Sequence, residues 1–146
     1  MSERRQPLVL LDSTVLVHLL RGDATGRWIE DAYHLTSRRD RPLLSTVAEG
    51  EVRGLALGWG WGSRKLDELE RLLQQLVIVE AGLPAIVHCY AELYVEATRG
   101  GHPAGENDLW IAATAMVTQA ELFTCDQDFG WLNAVHLPVR YITERA

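Results

Sequence analysis

The chain has 146 residues and a mass of 16.4 kDa, the length of one domain with room for a sizeable core. Its 47% hydrophobic and 23% charged residues exclude a disordered, collagen-like or disulfide-scaffold chain. A net charge of −6 and a pI of about 5.3 exclude a general nucleic-acid coat protein, whose domain is basic, but not a nucleic-acid enzyme, because acids gathered for a cation inflate the negative count.

The opening residues Met1 to Pro7 are polar, and the apolar stretch Leu8–Leu11 breaks at Asp12. That is too short for a signal peptide, and no apolar run approaches a membrane span. A soluble, cytoplasmic protein without a membrane partner is expected. Cys89 and Cys125 stand alone and read as reduced and partly buried. Lys65 is the only lysine among 14 basic residues. Arginine suits bidentate phosphate contacts, although an Arg-rich codon bias explains the count as well.

Leu8–Leu11 is a short, continuously apolar run, as in a strand buried on both faces. Thr14 to Leu20 predicts a helix ended by Gly22, and a second helix is expected from about Gly26 to Arg38. A polar turn over 39–42 precedes a strand at Leu43-Leu44-Ser45. Thr46 to Glu49 has the pattern of a capping box, with Thr46 as the cap of a helix reaching about Leu57. Gly58-Trp59-Gly60-Trp61-Gly62 breaks it, and Leu66, Leu69, Leu72, Leu73 and Leu76 then fall on one helical face. Val77-Ile78-Val79 reads as a strand. Pro84 opens a helix to about Arg99, and a helix over 109–119 has Asn107 as its expected cap. Leu122-Phe123-Thr124 forms a strand, a short helix follows near Phe129, and Val139 to Ile142 is a last strand. Strands alternating with helices predict a three-layer α/β fold, a short parallel central sheet flanked by helices, in a single domain over 1–146.

In such sheets ligand sites gather beyond the carboxyl ends of the strands. Asp12 follows the first strand, Asp126 follows the Leu122–Thr124 strand, Asp108 opens the Ala-rich helix, and Glu51 lies early in the helix after Ser45. Four carboxylates from distant segments would repel unless a cation joined them. Oxygen-only donors suit Mg²⁺ or Mn²⁺, and such a site can activate water against a phosphodiester. Singly, each acid has a plainer role: Asp12 as a helix cap, Asp108 as a dipole partner, Asp126 and Asp128 as turn residues. The argument rests on their joint placement.

The segments Leu8–Val15, Leu44–Arg53, Asn107–Ala115 and Leu122–Phe129, in this order, resemble PIN-domain proteins, and specifically the VapC toxins of bacterial VapBC toxin–antitoxin pairs. The resemblance spans Leu8 to about Ile142. The Asp-Leu-Trp-Ile-Ala-Ala-Thr-Ala stretch together with Thr-x-Asp-x-Asp-Phe carries most of it. It implies a PIN-like fold and a metal-dependent endoribonuclease with an acid quartet, here Asp12, Glu51, Asp108 and Asp126. It also implies a homodimer and a VapB-like antitoxin. Many relatives carry Asn after the first acid, where this chain has Ser13.

Between Glu49 and Glu51, family spacing from Ser45 favours Glu51. If Thr46 is the cap, Glu49 is engaged in the capping box and Glu51 points about 200° away from it. The expected roles are Asp12, Asp108 and Asp126 as metal ligands, Glu51 as orienter of the attacking water, and Asp128 as an auxiliary. Trp59 and Trp61 stack on bases, meet a partner or anchor their loop. His18, His34, His88, His102 and His136 have no zinc-ligand spacing, and neither a P-loop nor a nucleophile elbow occurs. The leading reading is an endoribonuclease toxin acting on RNA. The alternative is a PIN-like RNA- or protein-binding module that does not cut.

Overall fold

A computed structural model describes residues 7–133 and 137–146; His136 lies outside the described residues. Five short strands form one parallel sheet: β1 (Val9–Leu11), β2 (Leu43–Ser45), β3 (Val77–Val79), β4 (Glu121–Thr124) and β5 (Val139–Tyr141), in the order β3-β2-β1-β4-β5. The helices are α1 (Ser13–Arg21), α2 (Ala24–Tyr33), α3 (Thr46–Gly58), α4 (Ser63–Gln74), α5 (Pro84–Gly100) and α6 (Glu106–Thr118), with a 3₁₀ turn at Gln127–Leu132. This is the expected three-layer α/β architecture.

The sequence patterns explain most of the elements. β1 and β2 are buried throughout, with both faces covered, whereas β3 and β5 form the more exposed edges. Leu10, Leu11, Leu44, Ile111 and Leu122 lie fully buried where sheet and helices meet. Leu69, Leu73 and Leu76 are buried and Leu66 and Leu72 partly so, as the spacing predicts. Gly22 and Gly101 end α1 and α5 in the left-handed conformation.

Three expectations are corrected. α2 starts at Ala24, capped by the Asp23 carboxylate on the Gly26 N–H, and ends at His34, whose φ of 51° reverses the chain and buries Leu35. The helix therefore stops short of Arg38. At α3 the cap is Ser45, whose hydroxyl accepts from the Val47 N–H at 3.1 Å. Thr46 Oγ1 instead accepts from the Ala81 N–H at 3.1 Å, joining α3 to the loop after β3. No capping box forms, and Glu49 accepts from Arg53 at 2.9 Å. Finally, α6 is capped by Gly105, and Asn107 lies inside the first turn.

The C-terminal residues lie back across α1 and α2. Ile142 is buried, the Arg145 N–H donates to Thr25 Oγ1 at 2.7 Å, and the Arg145 guanidinium sits 3.4 Å from the Trp28 ring centroid. His18 bridges Asp23 and Glu144 at 2.8 and 3.3 Å. Where α1 meets α2, Gly26 is the point of closest approach: a Cβ there would lie 2.1 Å from the His18 carbonyl oxygen. Gly26→Ala should therefore cost about 3 kcal/mol or more through backbone displacement. Gly50→Ala, on an exposed and open side of α3, should stabilise by roughly 0.5–1 kcal/mol. Urea unfolding of both variants checks the contrast.

Candidate active site

The order β3-β2-β1-β4-β5 reverses direction at β1, and the crevice at the carboxyl ends of β1 and β4 is where an α/β sheet offers a ligand site. Asp12 leaves β1 there, its N–H bonded to the Phe123 carbonyl at 2.9 Å. Its side chain caps nothing, although it occupies the cap position of α1. The residue is only 3% exposed. Asp12 Oδ2 accepts from both Thr14 Oγ1 and Thr124 Oγ1, each at 2.8 Å. Those hydroxyls in turn accept from backbone N–H groups, Thr14 from Cys125 at 3.0 Å and Thr124 from Asp126 at 2.9 Å.

A hydroxyl has one proton. With an N–H aimed at its oxygen, each threonine directs that proton at Asp12, so Oδ2 can only accept. Oδ1, which the Ser13 hydroxyl approaches at 3.5 Å, is left as the atom able to take a proton or a cation. Burial raises the Asp12 pKa, the two threonine bonds and one from the Ser13 backbone oppose the rise, and the Asp126 charge adds to it.

The other acids surround this carboxylate. Glu51, on α3, accepts from Asn107 Nδ2 at 3.4 Å through Oε2, while its Oε1 is buried without a hydrogen-bond partner. Burial and the charge of Asp12 raise its pKa, with Asn107 and Ser13 acting in the opposite sense. Asp108, in the first turn of α6, is pushed up to about 6 by burial and by Asp12, despite a bond from the Gly105 N–H; Asp126 and Glu51 raise it further. Asp126 caps the 3₁₀ turn by accepting from the Asp128 N–H at 2.9 Å. Asp128 is itself exposed and enters through that N–H. Glu49 is turned to Arg53, which also pairs with Glu70.

The structure thus brings Asp12, Glu51, Asp108 and Asp126 within one electrostatic neighbourhood. Among the described residues no three His, Cys, Asp or Glu side chains are positioned to hold a metal ion. Donor chemistry nevertheless fits a hard divalent cation: every candidate ligand is a carboxylate oxygen, Glu51 Oε1 is buried and unpartnered, and the Ser13 hydroxyl approaches Asp12 Oδ1 no closer than 3.5 Å. Thr14 and Thr124 were missed by the sequence reading. The signal was there, a hydroxyl two residues from each of Asp12 and Asp126, but not the pairing across the sheet. Asn107 was found for a different role.

A family model described as PIN domain matches residues 9–132. The chain belongs to the PIN-domain family. No curated protein matches it significantly in sequence. This PIN domain is similar in structure to VapBC2 from Rickettsia felis bound to a DNA fragment of its promoter: the TM-score is 0.78 at 19% identity, over 92% of this chain and 98% of that one. It is similar to VapBC-1 from nontypeable Haemophilus influenzae, with a TM-score of 0.74 at 21% identity over 92% and 97% of the chains. For Mycobacterium tuberculosis VapC20, a Sarcin-Ricin loop cleaving toxin, the TM-score is 0.65 at 18% identity, over 90% and 98%.

The raised Asp108 pKa has a definite pH consequence for the metal-free PIN domain. A folded value of about 6 against 3.8 for the free side chain means that the folded state holds this proton more tightly. The stabilisation from Asp108 is complete below about pH 4 and is lost as pH rises through about 6. Asp108→Asn should therefore be more stable than wild type at pH 7 in EDTA, by about 1 kcal/mol once solvent screening at a half-buried group is allowed for. The two should converge near pH 4. Thermal melts across pH 4–8 read the difference.

Proposed function

We propose that this PIN domain is an endoribonuclease toxin of a type II toxin–antitoxin pair, hydrolysing RNA phosphodiester bonds with Mg²⁺ or Mn²⁺ as cofactor. The observation that carries the reading is the four-acid neighbourhood around a buried Asp12 at the sheet's reversal point. Its concentrated negative charge opposes phosphate binding, so a module that only bound RNA would gain nothing from it. Structural similarity to VapBC proteins, one a described RNA-cleaving toxin, supports the substrate class.

Asp12 through Oδ1, Asp108 and Asp126 would hold the cation. When bound, it neutralises the acids, polarises the scissile phosphate and makes water a better nucleophile. Thr14 and Thr124 keep Asp12 from rotating. Asp128 assists as an auxiliary, its N–H fixing Asp126. Glu51 orients the attacking water and takes its proton, a role suited to a carboxylate whose pKa burial has raised. Water adds to phosphorus as the bond to the 3′ oxygen breaks, leaving a 5′-phosphate and a 3′-hydroxyl.

EDTA should abolish cleavage and Mg²⁺ restore it. Asp12→Asn and Asp108→Asn should each reduce cleavage by about 10²-fold or more with the fold intact by circular dichroism. Glu51→Gln should damage cleavage far more than Glu49→Gln, since Glu49 serves Arg53. Wild-type rates in both aspartate variants would overturn the assignment.

The same reading includes a VapB-like antitoxin and a homodimer. Leu83, the cap residue of α5, and Val87, Tyr90 and Tyr94 along the helix recur at helical spacing, all but Tyr90 exposed, and offer an apolar stripe for a second copy. An arginine or lysine from an antitoxin, placed among the acids, would make charge-assisted bonds and compete with cation and substrate. Purified cognate antitoxin should therefore inhibit cleavage, bind more weakly as salt rises and bind more weakly to Asp12→Asn. Light scattering at micromolar concentration should give twice the chain mass. Antitoxin binding that leaves cleavage untouched would refute inhibition at the acids.

A further inference from the structure

Beside the acid site, the Gly58–Gly62 segment carries an aromatic that the fold does not bury. Trp59 follows α3 and remains 44% exposed. It forms a wall of two cavities. One, about 550 Å³, is also lined by Glu51, Gly54, Leu55 and Gly58. The other, about 260 Å³, is lined among others by Ser13, Thr14, Arg21 and Glu144. Both cavities reach the acid site, the first at Glu51 and the second at the residues following Asp12.

The exposed Arg21 guanidinium lies 4.6 Å from the Trp59 ring centroid. Trp61 lies near, ring centroids 5.7 Å apart and tilted by 40°, so the two indoles are not stacked. An indole with an exposed face and a cation at its side has the two features a single strand of nucleic acid uses: a π surface for a base and a positive charge for the phosphate beside it. In a chain of net charge −6, a cation bordering the acid site is placed where an approaching phosphate most needs compensation. Leu57, 73% exposed on the same helix, lines neither cavity. Leu55, 40% exposed, lines both cavities beside Trp59. The cation at the ring and the ends of the cavities at Glu51 and at Ser13 and Thr14 favour RNA over a protein as the occupant at Trp59.

We propose that Trp59 and Arg21 seat an unpaired base and its adjoining phosphate on the RNA strand leading into the acid site. This deepens the ribonuclease reading and rests on it. The base stacks on the indole, and the guanidinium moves from the ring to the phosphate. The platform selects unpaired over duplex RNA, since a paired base cannot present its face. Trp59 acts in binding, outside the bond-breaking step.

The test uses the full chain and a fluorescein-labelled single-stranded RNA of about 12 nucleotides, with its duplex as control. In EDTA, where binding is read without cleavage, Trp59→Ala should bind the single strand about tenfold or more weakly, and Trp59→Phe should recover most of the loss. Arg21→Gln should weaken binding and lower the salt dependence by about one phosphate contact. Duplex binding should be the same for all variants. With Mg²⁺, Trp59→Ala should raise KM while kcat at saturating RNA stays within about threefold. An abasic nucleotide at one position should weaken wild type and have no further effect on Trp59→Ala.

Unchanged RNA affinity in Trp59→Ala overturns the proposal. So does lost affinity for the cognate antitoxin with RNA affinity intact, which would assign the platform to a protein, or a weakening that Trp59→Phe fails to recover together with a lowered Tm, which would make Trp59 a loop anchor. If wild type binds the single strand through Trp59 but never cuts it with Mg²⁺, the ribonuclease reading fails and the platform stands.

Discussion

The site depends on the pair of hydroxyls that hold Asp12 Oδ2. A carboxylate only 3% exposed is costly to keep ionised, and unpaired it would neutralise or disrupt the core. Thr14 and Thr124 offset that cost from opposite sides, one on α1 and one on β4. Because the same hydroxyls receive the N–H groups of Cys125 and Asp126, they also set where the chain leaves β4. One cluster therefore fixes the rotamer of Asp12, the direction of its free oxygen and the position of Asp126. The network is fully satisfied on the Oδ2 side and open on the Oδ1 side, the asymmetry expected of a group meant to receive something.

The fold was largely legible because its signals are local. Leu43–Ser45 and Val77–Val79 are short runs led by apolar residues and each followed by a polar one, Thr46 and Glu80, and both are strands with those limits. Pro84 occupies the first turn of α5 as its fixed φ predicts. What stayed hidden depends on partners far along the chain. Ser45 and Thr46 are both competent caps, and only the Ala81 N–H, 35 residues away, claims Thr46 and leaves the role to Ser45. Family spacing and an expected capping box both favour Glu51 over Glu49, and the capping box does not form. The placement of Glu51 near Asp12 holds for another reason, since Arg53 draws Glu49 to the other side. The end of α2 at His34 has no glycine to mark it; a non-glycine residue takes the left-handed conformation as Leu35 turns into the core.

The acids are arranged at the expense of the fold around them. Asp12, Glu51 and Asp108 all have raised pKa values, with burial as the main cause and neighbouring carboxylates adding to it. Structural ion pairs work in the other direction: Arg53 holds Glu70 below its usual range. Like charges gather at the carboxyl ends of the strands, whereas Arg53 pairs with opposite charges on the α3–α4 surface. The acids are thus held against their electrostatics, whereas the α3–α4 pairs are held by theirs.

The Asp12–Thr124 bond also bears on when the site can exist. Its partners are 112 residues apart in sequence, and β4 must pair beside β1 before either threonine can meet its carboxylate and N–H together. A nascent chain that has emerged through α5 already carries Asp12 and Glu51, yet nothing holds Asp12 in the site's geometry until β4 is free of the ribosome. Folding by distant contacts is slow. The acid cluster of this PIN domain is therefore assembled only late in synthesis, because no early-folding fragment contains both β1 and β4.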